Sequence, residues 1–319
     1  MAPAAKIVVL GTGDLAIPVL EAVTSEHSVA RIVSRPHRRD EDSVLPEERR
    51  TAALPEWARE HDIAIRREAQ PSGDRLRRQL EELSPELGLV VAYGRRFPTS
   101  LLGVPKRGWW KVHFSLLPKN RGLNPIRSAL WFGEAKTGVS VIRVTEEPDA
   151  GPILSQESLD IGADESFGDL APRVAALAAE IVGPAISRVL RSKNPTTRPQ
   201  NEKVASHTPR FDQRHRRAPW WRTADVVSRR LRALSPEPGL RTLIKRQRVR
   251  IVAGAPANYL DTTPGESGSF IGLRSGQMAV LCGEGTIFGI RRVQLESGET
   301  VSASRFVREI GLRAGDVIV

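Results

Sequence analysis

The segment KVHFSLLPKNRGLNPIRSALWFGEAKTGVSVIRVTEEPDAGPIL, residues 111–154, holds the side chains best suited to chemistry. Alternate residues of a strand share a face, so Lys111, His113 and Ser115 are predicted to project together from one strand end. Pro118 and Gly122 then force an irregular loop. Further on, Asp149-Ala150-Gly151 places a carboxylate in a turn after a strand. A histidine and an aspartate delivered from neighbouring sheet edges make an acid/base pair that can move a proton. On residue types alone, a structural histidine is as good a reading. Near the start, Gly11-Thr12-Gly13 follows an apolar run but lacks the third glycine of a dinucleotide fingerprint, and Ala16 stands in its place. No acidic residue ends the second strand, so the turn reads better as a close backbone approach to some other ligand.

These residues need a scaffold, and the sequence supplies one. Lys6 to Leu10, Val29 to Ser34, Ile63 to Ile65 and Leu87 to Tyr93 read as strands, alternating with helices at Ala16 to Val23, Leu54 to Glu60 and Asp74 to Leu83. Continuous apolar strands separated by helices predict a parallel sheet covered on both faces, with ligands at the carboxyl ends of its strands. Trp110 to Phe114 and Gly138 to Val144 read as further strands flanking a helix at Ile126 to Phe132. Phe167 to Leu190 reads as a long helix, with a kink or break expected at Gly183-Pro184. The polar stretch from Arg35 to Arg50 is expected to be a mobile loop. Residues 193–208 carry two prolines, with Pro209 just beyond, and no apolar periodicity, and read as a linker. Beyond it, Thr223 to Leu234 reads as a helix, and short glycine-separated runs (RVRIVAG, GSFIGL, MAVLCG, IFGIRRV) predict a small β-barrel. The expected division is a first domain at 1–192, the linker, and a second domain at 209–319.

Composition narrows the partners. At 319 residues, 40% hydrophobic and 27% charged, the chain is globular. No apolar run is long enough for a signal peptide or membrane span, so a cytoplasmic protein without a membrane partner is expected. The single cysteine, Cys282, lies in an apolar run and reads as a small core residue; no thiolate metal cluster is possible. From Lys193 onward there are 22 Lys and Arg against 11 Asp and Glu, which accounts for the whole net charge of +11. A basic module beside a neutral one suggests a polyanion held by the second domain and chemistry done by the first. Arginine scattered over solvated surfaces is the alternative reading.

HFSLLPKNRGLNPI resembles the H-x-S-L-L-P-x-x-R-G-x-x-P-I signature of formyltransferases that use 10-formyltetrahydrofolate, and PDAGPIL resembles their D-x-G-x-x-L segment. The opening VVLGTGDLAIPVLEAV, LGLVVAYGRRFPTSLLGVP, TGVSVIRV and RTADVVSRRLRALSPEPGLRTLI extend the similarity over nearly the whole chain, in particular to family members acting on methionyl-tRNA. The resemblance implies a Rossmann-like folate domain followed by an OB-like domain that touches tRNA. It implies an amine attacking the formyl carbon through a tetrahedral intermediate whose oxyanion needs donors. His113 then matches the histidine that assists this step, Asp149 the aspartate that sets it, and Ser115 a supporting residue. The backbone of Val90, Val91, Ala92 and Tyr93 would line the pterin pocket, with Ser115, Leu116, Leu117 and Pro118 also toward the folate. The implied partners are 10-formyltetrahydrofolate as co-substrate and initiator methionyl-tRNA, and the chain is expected to be a monomer with no metal.

Two features depart from that pattern. Lys111 stands where the family has asparagine, and an ammonium only donates, on a long stem, whereas an amide also accepts. Three readings stay open: Lys111 as the oxyanion donor, a related enzyme with altered chemistry, or a weakened RNA-binding relative. The loop from Arg35, basic in the tRNA-acting members, here has positive and negative charges that nearly cancel. Formylation of a small amine, such as an amino sugar or a biosynthetic intermediate, is therefore the alternative function. Trp220-Trp221 among Arg214, Arg216, Arg217 and Arg222 could stack on bases, although such a pair at a domain junction also suits packing.

Overall fold

Strand β1 (Lys6–Gly11) lies inside a seven-stranded sheet, between β2 (Ser28–Ser34) and β4 (Leu87–Val91); β3 (Ile65–Arg67) forms the edge beyond β2. On the other side follow β5 (Trp109–His113), β6 (Lys136–Arg143) and β7 (Ile153–Asp160). The structure is a computed structural model that describes residues 5–35, 53–68, 74–192, 194–258 and 265–319. Most of the predicted Arg35–Arg50 loop, residues 36–50, lies outside them.

Alternation along β1 shows how both faces are covered. Ile7 and Val9 enter a core with helices α1 (Ile17–Thr24) and α5 (Phe167–Arg191), together with Trp57 of α2 (Ala53–Glu60). Val8 and Leu10 face the other way, against Leu76 and Leu80 of α3 (Asp74–Glu82). Every strand residue from Ile7 to Leu10 is fully buried, which explains why the run is apolar throughout. Helix α4 (Pro125–Phe132) starts with proline at its first turn and ends at Gly133, whose φ of 72° only glycine adopts without cost.

Two sequence expectations change. The sheet is parallel from β3 through β5, but β6 and β7 run antiparallel, because β6 returns after α4 and β7 after a short turn. Helix α5 is continuous through Pro172 and Pro184. Both prolines are exposed, so the carbonyls they leave unpaired face water rather than the core. By length and composition α5 is apolar enough to cross a membrane, yet its apolar side packs against the sheet as a core helix does.

After α6 (Ala224–Leu234), the second unit is an antiparallel sheet in the order β10-β11-β12-β9-β8, with β13 on β12. These strands are β8 (Leu240–Ile244), β9 (Gln247–Ala257), β10 (Phe270–Arg274), β11 (Gln277–Leu281), β12 (Ile287–Gln294) and β13 (Thr300–Ser302), followed by α7 (Ala303–Ile310). The edge strands β8 and β10 are joined by residues 316–319. Leu243 and Val319 exchange hydrogen bonds of 2.6 and 3.0 Å, and Phe270 N–H reaches Asp316 O at 2.9 Å. This segment covers both edges and closes the sheet round its own core, where Cys282 is buried and burial pushes its thiol up to about 12.

Residues 198–208 do not hang between the two units. They lie along the first, with Ile153 and Arg198 bonded in both directions at 2.7 and 2.8 Å. A second junction forms where Arg127 of α4 donates to Ala233 O and Glu237 O while its guanidinium stacks 3.5 Å from the Phe167 ring.

Candidate functional site: a cavity at the ends of three parallel strands

The carboxyl ends of β1, β4 and β5 meet at one cavity, where open α/β sheets carry their ligands. Its lining includes Thr12 and Gly13 after β1, Val90 and the turn Ala92 to Arg95 at β4, and Lys111, Val112 and His113 of β5. Gly122 to Arg127 and Phe167 close the far side. Ala92 has φ 48° and Gly94 φ 66°, so the chain turns sharply beside the cavity. Tyr93 is buried with a hydroxyl that has no partner among the described residues, and burial raises it to about 12.

The predicted residues converge only in part. Lys111 and His113, two apart on β5, share a face, and Asp149 reaches them from the turn between β6 and β7. Asp149 is itself at φ 58°. Lys111 Nζ bonds Asp149 Oδ1, the Gly122 N–H donates to Oδ2 at 2.8 Å, and His113 Nδ1 lies 3.8 Å from Oδ2. Asp149 is not among the cavity-lining residues; it stands behind Lys111, His113 and Gly122, which are. Ser115 is turned away, its hydroxyl donating to Lys119 O at 2.6 Å. Of the residues expected toward the folate, Val90, Ala92 and Tyr93 line the cavity, whereas Val91, Ser115, Leu116, Leu117 and Pro118 do not. Those last residues form a loop held by Ser140, which accepts from Leu117 N–H and donates to Ser115 O.

The electrostatics assign protonation states. His113 is buried, and desolvation lowers its pKa below the usual 6.5 despite the nearby Asp149. Its Nε2 lies 2.9 Å from Asn120 O, an acceptor, so Nε2 carries the proton and Nδ1 is left with a lone pair. For Asp149, burial alone would raise the carboxyl, but His113, Lys111 and the Gly122 N–H outweigh it and hold it at about 2. With the imidazole neutral, Lys111 and Gly122 are the partners that keep Asp149 ionised. Lys111 has three N–H donors and spends one on Asp149, leaving two for the cavity. The cluster can therefore offer a cationic donor to a developing oxyanion and a neutral imidazole to a departing proton.

Sequence reasoning missed Gly122 as a donor and Gln200, whose amide reaches the Asp149 carbonyl. Gly122 was visible as a glycine in the irregular loop; nothing in the primary pattern pointed to Gln200. Of the tryptophan pair, Trp220 is buried with Nε1 on Thr242 Oγ1 at 3.1 Å, while Trp221 is 65% exposed.

A mixed sheet with a His, an Asp and a cation at the ends of its parallel strands is an arrangement with the groups that group transfer to an amine calls for. The comparisons agree. Residues 5–186 match the formyl transferase family and residues 211–311 its C-terminal domain. The chain is 30% identical to methionyl-tRNA formyltransferase of Stenotrophomonas maltophilia strain K279a, covering 95% of this chain and 96% of the relative. It is 31% identical to the enzyme of that name from Roseobacter denitrificans, over 97% of each. This chain belongs to the formyl transferase family. The fold is shared with a Helicobacter canadensis N-formyltransferase crystallised with folinic acid and dTDP-3-aminofucose, at TM-score 0.66 and 16% identity over 90% of this chain and 98% of that one. HypX of Aquifex aeolicus in complex with tetrahydrofolic acid gives TM-score 0.60 and 16% identity over 96% of this chain and 47% of that one.

Proposed function

We propose that this chain transfers the formyl group of 10-formyltetrahydrofolate to the amino group of an aminoacyl-tRNA, namely methionyl initiator tRNA. The observation that carries the chemistry is the Lys111–Asp149–His113 cluster, with Lys111 and His113 lining a cavity and Asp149 behind them. Val90, Val112 and Ile126 supply apolar surface for a ring, and the turn at Ala92 to Gly94, with a Tyr93 hydroxyl that has no partner among the described residues, suits the hydrogen-bonding edge of a pterin. The amine nitrogen attacks the formyl carbon, and Lys111 donates to the oxygen as it gains charge. His113 Nδ1 takes the proton from the amine and delivers it to the departing folate nitrogen as that carbon–nitrogen bond breaks. Asp149 acts through both, fixing the Lys111 ammonium and facing the imidazole. The division at 192 and 209, monomeric action and a cytoplasmic setting belong to the same reading.

The acceptor rests on the relatives' names and on the basic region from Lys193 onward, whose +11 suits a polyanion. Formylation of a small amine is the second reading, favoured by the balanced charges of the Arg35 loop. Incubation with labelled formyl donor and either charged methionyl-tRNA or a panel of amines separates them. Label on the methionyl ester is expected; label on small amines alone overturns the tRNA reading.

A further inference from the structure

Residues 198–208 hold the loop that faces the cavity from outside. Arg121 N–H donates to Ser206 O at 2.8 Å and Thr208 N–H to Arg121 O at 2.7 Å, a pairing of the strand type. Ser206 Oγ accepts from Asn120 N–H at 2.9 Å, and Thr208 Oγ1 from Leu123 N–H at 3.0 Å. This pins the Asn120 carbonyl that His113 bonds and the Gly122 N–H that Asp149 bonds. Between these contacts sits Gln200. Its amide nitrogen donates to Asp149 O and Gly151 O, each at 2.8 Å, and its amide oxygen accepts from Arg121 Nη2 and Nε at 2.8 and 3.1 Å. Arg121 is 2% exposed and is fixed on its outer side by Glu202 at 2.6 and 2.9 Å.

We propose that Gln200, which falls between the two family-matched regions, is a positioning residue for the reaction centre, acting through the main chain of Asp149. Asp149 has a left-handed backbone that a non-glycine residue keeps only when its surroundings impose it. The two carbonyls flanking the turn need donors, and one amide group supplies both. From the inside, Gly151 lies so close to Arg143 O that a Cβ would not fit. The turn is thus clamped from two sides, and the carboxylate behind Lys111 and His113 stays where both reach it. Without the clamp the turn relaxes and the cluster loses its alignment, while the cavity walls that hold the folate stay in place.

The inference rests on the role proposed for Asp149, and the experiment separates the two. Gln200→Met removes all four bonds; Gln200→Glu keeps the Arg121 contact but cannot donate to the carbonyls, and it guards against loss of fold in the first variant. Both are measured in the full chain with saturating formyl donor and methionyl-tRNA. The expected result is a fall in kcat of up to about a hundredfold, as for reacting groups displaced by an ångström, with KM for the donor within about twofold. Combined with Asp149→Asn, Gln200→Met should add no further loss, since both act on the same carboxylate. Val204→Ala, an exposed change on the same segment, should leave activity unchanged. An unchanged kcat in Gln200→Met, a rise in KM alone, or losses that add to those of Asp149→Asn overturn the inference. Full activity in Asp149→Asn instead overturns the reading of the site beneath it.

Discussion

Replacing Lys111 by methionine keeps the apolar stem and removes the charge beside Asp149, and the size of the effect follows from the pair's surroundings. The Asp149 side chain is 4% exposed and that of Lys111 25%. The carboxyl falls from 3.8 to about 2 in the folded chain, against burial and through His113 first and then Lys111 and the Gly122 N–H, so its partners together favour the ionised form by about 2 kcal/mol. His113 and the Gly122 N–H remain in the variant, which leaves about 1 kcal/mol for Lys111. A folded-state value below the unfolded one contributes stability above pH 3.8, and that contribution is lost as pH falls toward 2. A double-mutant cycle of Lys111→Met and Asp149→Asn, followed by urea unfolding, should show this coupling at pH 7 and its decline toward pH 2. Coupling under about 0.3 kcal/mol at pH 7 would refute the pairing. Activity gives a second readout. If Lys111 also serves the oxyanion, Lys111→Met should cost about 2.7–4 kcal/mol in transition-state stabilisation, whereas Lys111→Asn, restoring an amide donor, should retain much of the rate. Equal, unchanged rates in both would place Lys111 outside the chemistry.

Four further outcomes are expected. His113 should be neutral at pH 7 with the proton on Nε2, and its first proton uptake in a nitrogen-detected NMR titration should fall below pH 6.5 because burial lowers it; uptake above 6.5 would contradict the site's electrostatics. His113→Ala should lower kcat by about 10²–10⁴-fold, as loss of a general base does. Gly151→Ala should abolish formylation even where circular dichroism shows a folded chain, since the new methyl would strike Arg143 O and displace the Asp149 turn. Ile318→Ala should weaken the second domain by about 2–4 kcal/mol in chemical unfolding, because Ile318 is 2% exposed in the core of the segment that joins β8 to β10.

The sequence by itself determined the elements whose signals are local. Runs such as Lys6 to Leu10 and Leu87 to Val91 are buried on both faces, and that burial is why they are apolar throughout. The pairing of His113 with Asp149 was legible in the formyltransferase-like blocks that carry them, and Lys111 in its two-residue offset from His113. Tertiary structure decided what depends on distant partners. The direction of β6 and β7 follows from chain return, which no periodicity encodes. Pro184 leaves α5 intact because it faces water, and exposure is a property of the packed molecule. Ser115 shares a strand-like offset with His113, yet β5 ends at His113, so its hydroxyl turns to Lys119 O. Residues 198–208 are mostly polar and lack apolar periodicity, which composition reads as a linker. Their donors and acceptors match main-chain groups of loops 49 to 86 residues earlier in sequence, and only folding brings those groups within hydrogen-bond range, because a main-chain carbonyl carries no signature in the residue that bears it.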